Sequence, residues 1–153
     1  MSSQRVFVKL MQRYWRWQRA MTLGVRAIVV DGTGQFLLVR QAYDGAWIFP
    51  GGGVEPGETV WHALHRELEE EAGVAASSPA SLLGIYANHR AFPGDHIAAF
   101  VIRDWRRICD RGPTREIAEA GFFAPDALPD GVNSGVPRRI AEVLGRSPVV
   151  PHW

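Results

Sequence analysis

The segment from Gly52 to Val74, GGVEPGETVWHALHRELEEEAGV, constrains the fold more than any other part of the chain. Residues from about Thr59 to Ala72 include no Gly or Pro and are rich in Ala, Leu and Glu, which favours a helix. Pro56-Gly57 suits the central positions of a type II turn, and Gly73 is typical of the residue that ends a helix. The sequence therefore predicts a tight glycine-rich loop that leads directly into a helix.

The predicted helix carries an apolar stripe and a group of glutamates. At about 100° per residue, the stripe that must face a core consists of Val60, Trp61, Leu64, Leu68 and Ala72. The side chains of Glu67, Glu70 and Glu71 can converge at the shoulder of this stripe. Glu69, in contrast, is predicted to point towards solvent.

Three converging glutamates need positive charge beside them, because close carboxylates repel one another and a partly buried one without a partner is costly. Arg66, one turn before Glu70, can neutralise one of the three charges. Mg²⁺ is the simplest partner for the others, since it takes one or two carboxylates together with waters and substrate phosphates. A solvated acidic face is the alternative interpretation of the same run.

The loop and the helix together follow a fixed spacing. Gly, five intervening residues, Glu and seven intervening residues precede the run REUxEExGU, in which U is a bulky aliphatic residue. The defined positions are filled by Gly52, Glu58, Arg66, Glu67, Leu68, Glu70, Glu71, Gly73 and Val74. The segment resembles, in full, the signature of the Nudix hydrolases.

This resemblance implies both a fold and a reaction. The fold is α/β, an α/β/α sandwich around a mixed β-sheet. The reaction is the hydrolysis of a nucleoside diphosphate linked to another group, in which water attacks a phosphorus with the assistance of Mg²⁺ or of Mn²⁺ as a substitute.

The same resemblance implies roles for individual residues. Glu67, Glu70 and Glu71 would bind the metal, with the backbone carbonyl of Gly51 as a further ligand. One of these glutamates, or a glutamate from a later loop, would act as general base toward water. The catalytic set is completed by Arg66, which would orient the carboxylates with Glu58 as its partner.

Four residues are candidates for contacts with substrate. Arg40 ends the second predicted strand and Arg26 lies within the first, so either could reach a phosphate. Arg90 and Phe92 belong to the loop 88–96, which offers cationic and aromatic side chains for a base or a sugar. The alternatives are two surface arginines and an ordinary turn.

Two glutamates that follow the signature in the chain are also candidates for the functional site. Glu116 and Glu119 lie in the stretch REIAEAGFFAPDALP, and the resemblance implies that an acidic residue here completes the metal site or acts as base. The sequence does not choose between them, and an exposed turn carboxylate is the alternative.

Composition indicates one domain over residues 1–153, with residues 1–20 as an N-terminal helix or arm. The net charge of +1 gives no general attraction to nucleic acid or to a membrane. Cys109 is the only cysteine, so no intramolecular disulfide forms. The chain shows neither a signal peptide nor a transmembrane run, and we expect a cytoplasmic protein.

The N-terminal run RYWRWQR, residues 13–19, interleaves arginines with aromatic residues. Such a run can bind nucleic acid or a membrane surface. We expect instead that it packs on the domain or on a second copy in a homodimer, because the run is short and the chain is nearly neutral.

The remaining elements are predicted as follows: a helix over 3–19, a hairpin of Leu23–Val30 and Gln35–Arg40 around Asp31-Gly32-Thr33-Gly34, strands at Leu82–Asn88, His96–Arg103 and Ala118–Ala124, an irregular segment at 106–115 and a helix over Val136–Leu144. Trp47 and Phe49 are predicted to lie in the core.

Two function classes follow from the sequence. The first is a pyrophosphohydrolase that acts on a small-molecule nucleotide: a nucleoside triphosphate, a small nucleotide sugar or ADP-ribose. The second is a catalytically quiet nucleotide-binding or sensor module of the same fold. The complete set of metal-ligand positions favours the enzyme.

Overall fold

In the computed structural model, which describes residues 8–12, 14 and 20–153, three strands precede one helix and five strands separate it from the next within 20–153. The elements within 20–153 are β1 (Thr22–Val29), β2 (Phe36–Gln41), β3 (Trp47–Ile48), α1 (Val60–Ala72), β4 (Val74–Ala76), β5 (Ser81–Ala87), β6 (Asp95–Ile102), β7 (Trp105–Arg107), β8 (Ile117–Phe123) and α2 (Gly135–Val143). Residues 8–12 and 14 are helical. Apart from Tyr14, which is exposed, the run RYWRWQR lies outside the described residues, so the expectation about its packing stays a prediction.

The strands form a three-stranded mixed sheet, a three-stranded antiparallel sheet and a two-stranded antiparallel sheet. β6 pairs in parallel with β1 and antiparallel with β5, which gives the order β1-β6-β5. β2 lies between β3 and β8 and is antiparallel to both. β4 pairs with β7.

Buried side chains lie on both faces of β1, because alternate residues of a strand point to opposite sides. Val25, Ala27 and Val29 belong to a core cluster that packs against Leu64 and other residues of α1. Ile28 belongs to a second cluster, which includes Val136 and Ile140 of α2 together with Trp47 and Phe49. The sheet is therefore covered by a helix on each face, which confirms the predicted α/β/α sandwich.

Local signals placed α1 correctly. The hydroxyl of Thr59 accepts a hydrogen bond from the His62 amide at 3.2 Å, and Gly73 ends the helix with a φ of +63°. Gly57 has a φ of +87°, and the Glu58 amide donates to the Glu55 carbonyl at 2.9 Å, as the predicted type II turn requires. On α1 the fully buried residues are Ala63, Leu64, Leu68 and Ala72. Trp61 departs from the prediction, because 45% of it is exposed although its ring packs against Phe100.

One prediction of strand pairing was wrong, and one prediction of irregular structure was wrong in part. The turn at Asp31 forms, since its carboxylate accepts from the Thr33 and Gln35 amides, but β1 and β2 share only the bridge between Val30 and Phe36. β2 instead pairs with β3 and β8, because its buried run fills the space between them and leaves the neighbouring position of β1 to β6. The segment 106–115 is not wholly irregular either, since β7 extends to Arg107 and pairs with β4.

A buried polar cluster that the sequence did not predict joins α2 to the sheet. The guanidinium of Arg139 is fully buried and lies 4.1 Å from the ring centroid of Tyr86 and 5.3 Å from that of Trp153. Glu142 accepts from Arg139 at 2.8 Å and from the hydroxyl of Tyr86 at 2.7 Å. Burial, and then the hydrogen bond to Glu142, raise the pKa of Tyr86.

No helix within the described residues is both long enough and apolar enough to cross a lipid bilayer.

Candidate active site

The glycine-rich loop is fixed along β1 by backbone hydrogen bonds. The Ala27 amide donates to the Pro50 carbonyl at 2.8 Å, and the Val25 amide donates to the Gly52 carbonyl at 2.9 Å. Gly51 has a φ of +144°, and a Cβ atom there would overlap the carbonyl of Val25. Only glycine fits at position 51, so the loop follows the strand closely.

Gly52 makes room for a carboxylate of α1. A Cβ atom built on Gly52 would meet the side chain of Glu67, including its Cδ atom at 2.6 Å. At Gly53, by contrast, a Cβ atom would meet nothing within 4 Å. The sequence pattern therefore has a steric reason at its first glycine, because the Glu67 carboxylate rests directly on the loop backbone.

Arg66 joins the loop, the turn and the helix. Its Nε and Nη2 atoms donate to the two oxygens of Glu58 at 2.9 and 3.0 Å, and Nη1 donates to Glu67 at 2.7 Å. Nη2 also reaches the Gly53 carbonyl at 3.2 Å, and Nη1 lies 3.5 Å from a Glu70 oxygen. The expected contact between Arg66 and Glu58 is present, and it is bidentate. These bonds lower the pKa of Glu58 to about 2, with a smaller contribution from the Glu55 amide.

Glu71 is partly buried and is held by the loop backbone. Its Oε2 atom accepts a hydrogen bond from the Gly51 amide at 2.7 Å. Burial raises its pKa to about 7, and the charges of Glu67 and Glu116 act in the same direction, whereas the Gly51 bond and Arg26 oppose it. Burial is thus the main reason that the charged form of Glu71 is costly at this position.

Arg26 provides positive charge on the β1 side of this site. Its side chain is half-buried, and it donates to the carbonyl of Val25 at 3.2 Å. Burial lowers its pKa, and the charges of Glu71 and Glu67, followed by Asp95, oppose that effect. Arg26 therefore lies in the electrostatic field of the glutamates without forming a close ion pair with any of them among the described residues.

The other glutamates of α1 differ in position. Glu70 is 59% exposed, and its contact with the group is the ion pair to Arg66. Glu69 is exposed on the far side of the helix, as predicted, and Arg111 donates to its backbone carbonyl rather than to its carboxylate.

The structure distinguishes Glu116 from Glu119, between which the sequence did not choose. Glu116 contributes to the electrostatic field at Glu71, and its backbone carbonyl holds the Ala42 amide at 2.7 Å. Glu119 lies opposite Arg40 in the pairing of β2 with β8, and the two side chains form an ion pair at 3.1 Å. Arg40 and Glu119 thus pair with each other in this conformation, whereas Glu116 acts on Glu71 only through its electrostatic field.

The loop 88–96 follows β5 and turns tightly before β6. Phe92 is 57% exposed, and Arg90 is also exposed. Neither residue bonds to a glutamate of the site. Tyr43, which the sequence analysis did not select, is 76% exposed and contributes weakly to the electrostatic field at Arg26.

The donor atoms suit a hard divalent cation. Glu67, Glu70, Glu71 and the backbone of Gly51 offer oxygen atoms, which are the ligands that such cations take. No three His, Cys, Asp or Glu side chains within the described part of the chain stand close enough to enclose a metal ion by themselves. Oxygen ligands of this kind suit a divalent cation that also keeps waters and takes ligands from a substrate.

The NUDIX domain profile matches residues 20–143. The chain belongs to the Nudix family. Among solved structures, it resembles a MutT NUDIX hydrolase from Burkholderia pseudomallei, with 25% identity, a TM-score of 0.69 and coverage of 80% of this chain and 97% of the other. An ADP-ribose pyrophosphatase from Streptococcus suis gives 27% identity, a TM-score of 0.64 and coverage of 84% and 94%.

Curated relatives match this Nudix chain over shorter lengths. A diphosphoinositol polyphosphate phosphohydrolase 2 from Rattus norvegicus is 39% identical over 87 residues, which are 54% of this chain and 48% of the relative. An RNA pyrophosphohydrolase from Halorhodospira halophila is 47% identical over 58 residues, 38% of this chain and 32% of the relative. The chain spans less than half of the length of these relatives, whose names refer to pyrophosphate or diphosphate chemistry.

Proposed function

We propose that this Nudix protein is a pyrophosphohydrolase that cleaves a nucleoside diphosphate linked to another group. The observation that carries the proposal is the pair of fixed carboxylates on α1: Glu67 is held by Arg66, and Glu71 is held by the Gly51 amide. Both lie beside a cationic residue, Arg26, on the neighbouring strand. Carboxylates held in one orientation can bind the divalent cation that accompanies a phosphate chain. An arginine that forms no ion pair with them among the described residues can bind a phosphate oxygen.

In this mechanism the protein side chains bind the cation and the substrate phosphate, and they hold the carboxylates in one orientation. Glu67, Glu70, Glu71 and the Gly51 carbonyl would hold a divalent cation, which supplies charge neutralisation at the phosphates and lowers the pKa of a bound water. Arg26 would bind a substrate phosphate from the β1 side. Arg66 would keep the Glu67 carboxylate in one orientation.

A carboxylate would act as the general base that accepts a proton from the attacking water. Glu67, Glu70 and Glu116 are the candidates, because each lies in the glutamate group or contributes to its field. Glu58 is committed to Arg66 and would act as a positioning residue rather than as the base.

The names of the relatives and of the solved structures support a phosphoanhydride as the bond that is cleaved. A nucleoside triphosphate, ADP-ribose and a small nucleotide sugar are the substrates that we would test first. Mg²⁺ is the proposed cofactor, with Mn²⁺ as a substitute, and the proposed location is the cytoplasm.

The test is a substrate panel with purified protein and Mg²⁺, in which the products are separated by chromatography. Cleavage of one substrate class, lost with EDTA and restored with Mg²⁺, would establish the reaction. If no member of the panel is cleaved although a nucleotide raises the melting temperature, the protein is a nucleotide-binding module instead.

A further inference from the structure

Arg40 on β2 and Glu119 on β8 form an exposed ion pair that leaves one carboxylate oxygen available. The two residues lie opposite each other in the strand pairing, and their side chains are 39% and 56% exposed. The Nε and Nη2 atoms of Arg40 both donate to the Oε2 atom of Glu119, at 3.2 and 3.1 Å. The Oε1 atom of Glu119 accepts no hydrogen bond from the described residues. The carboxylate is therefore held through one oxygen, while the other can accept a hydrogen bond from a ligand.

This ion pair contributes little to the stability of the fold. Ion pairs between exposed side chains have a small net free energy, because both groups are well hydrated when they are apart. β2 and β8 are already joined by backbone pairing from Phe36 and Phe123 to Gln41 and Ile117. Replacement of Glu119 should therefore leave the fold intact, so that its effect on ligand binding can be measured separately.

Arg40, Glu119 and Arg26 all point to the side of their strands that carries the second core cluster. Successive residues of a strand point to opposite sides, so residues two apart point to the same side. Arg40 is two residues after Leu38, and Arg26 is two residues before Ile28. Leu38 and Ile28 both belong to that cluster. Glu119 shares the side of Arg40, because residues directly opposite each other in an antiparallel pair share a face.

The ion pair lies within reach of a nucleotide whose phosphates occupy the glutamate group. Glu116, whose charge acts on Glu71, precedes Glu119 by three residues, which span at most about 11 Å of extended chain. Trp47 flanks the pair on β3, and its ring centroid lies 5.9 Å from the guanidinium of Arg40. A nucleoside has a comparable length between its phosphates and the far edge of its base. A base can therefore reach Glu119 while its phosphates stay beside Glu71.

We propose that Glu119 selects the nucleobase of the substrate and favours guanine, with Arg40 as a positioning residue. The assignment rests on the proposed function, because it places the phosphates of the nucleotide at the glutamates. An ionised carboxylate only accepts hydrogen bonds. Guanine presents a ring N–H and an amino group side by side on one edge, and both can donate to Glu119. Adenine presents a ring nitrogen acceptor beside its amino group, so that the carboxylate faces an acceptor and stays partly unpaired.

Binding is measured by isothermal titration calorimetry on the full chain, with Mg²⁺ and the α,β-methylene analogues of GDP, IDP and ADP, whose phosphate bridge is not hydrolysed. The GDP analogue should bind about tenfold or more tightly than the ADP analogue, as expected for hydrogen bonds to a charged group. The IDP analogue retains the ring N–H but lacks the amino group, so its affinity should lie between the other two.

Glu119→Gln should weaken the binding of the GDP analogue by about tenfold and leave the ADP analogue unchanged, which removes the preference. Arg40→Gln should reduce the preference only in part, because Glu119 keeps its charge but loses the bonds that orient it. Asp126→Asn is the matched control, since it changes an exposed carboxylate beyond the end of β8. Melting temperatures identify any variant that fails to fold.

The assignment is overturned if the parent protein shows no preference for the GDP analogue, or if Glu119→Gln retains that preference. Hydrolysis of nucleotides without a base preference that depends on Glu119 would contradict the role of Glu119 and leave the proposed function standing. A preference that depends on Glu119, in a protein that cleaves no phosphoanhydride, would instead contradict the hydrolysis alone.

Discussion

Glu71 is joined to the glycine-rich loop across 20 residues of sequence, because its Oε2 atom accepts a hydrogen bond from the Gly51 amide at 2.7 Å. This bond fixes the distance between the end of α1 and the loop that runs along β1. A carboxylate that is held by a backbone amide cannot turn away towards solvent, even though burial makes its charged form costly.

The first prediction concerns which face of α1 carries the chemistry. Glu67→Gln and Glu71→Gln should each lower kcat by about 100-fold or more, because both remove a charged oxygen ligand from the site. Glu69→Gln is the control, since this carboxylate is exposed on the far side of the helix. Steady-state kinetics with Mg²⁺ measure the effect. An equally large loss with Glu69→Gln would mean that the functional face has been assigned incorrectly.

The second prediction concerns Arg66 as a positioning residue. Arg66→Lys keeps the charge but cannot make the bidentate contact with Glu58 and also the bond to Glu67. We expect kcat to fall by about 10- to 100-fold with little change in KM, as for residues that orient metal ligands. Metal titrations monitored by activity should show a weaker affinity for Mg²⁺. Unchanged metal affinity would argue that Arg66 serves only the stability of the loop.

The third prediction compares Arg26 with Arg40, both of which the sequence analysis named as candidates for binding a phosphate. Arg26→Gln should raise KM by about 10- to 100-fold, because it removes a charged donor that faces the site without a close ion pair. Arg40→Gln should raise KM much less, since Arg40 is paired with Glu119. The KM of both variants is measured under the same conditions. A larger increase in KM for Arg40→Gln than for Arg26→Gln would place the substrate phosphate near β2.

The fourth prediction tests the steric role of the first glycine in the signature. In Gly52→Ala the new Cβ atom meets the Glu67 side chain, so the carboxylate must move and kcat should fall by about tenfold or more. The free energy of unfolding should decrease by about 1–3 kcal/mol, as for other overpacked sites. Gly53→Ala is the matched control, because its Cβ atom meets nothing within 4 Å. Similar behaviour of the two variants would remove the steric explanation.

The fifth prediction is a dependence on alkaline pH. Burial and the Glu142 bond raise the pKa of Tyr86, so the folded protein keeps this proton at a pH where the unfolded chain has lost it. The folded state then binds more protons than the unfolded state, and stability must decrease as the pH rises above about 10, the ordinary value of tyrosine. Absorbance at 295 nm should show a late tyrosine transition that coincides with unfolding.

Tyr86→Phe should abolish this late transition in the absorbance at 295 nm. If the parent protein and Tyr86→Phe give the same titration curve, Tyr86 is not held in its protonated form by the buried cluster.

The sequence predicted those features that depend on neighbouring residues. The ends of α1, the turn at Gly57 and the contact of Arg66 with Glu58 all follow from signals within a few turns of the chain. The Nudix fold itself was predicted from the spacing of the signature, and the domain match over 20–143 confirms the family.

Features that depend on distant pairing could not be predicted in this way. β2 joins β3 and β8 rather than β1, because burial on both of its faces outweighs the local turn. The different surroundings of Glu116 and Glu119 follow from the register of β2 with β8, which no local pattern reveals. Residues 151–153 return to the end of β5 through backbone hydrogen bonds, and nothing in their sequence indicates that contact.

The parallel pairing of β1 with β6 joins residues as far apart as Thr22 and Asp95, which are 73 positions apart in the chain. Parallel strands that are so distant in sequence form slowly, because the entropy of closing the intervening loop is lost before the contacts are gained. The whole of α1 lies inside that loop, and the glycine-rich segment depends on β1 for its hydrogen bonds. In refolding experiments we therefore expect helical content to recover early, while any capacity to act on a substrate returns only with the late closure of the sheet.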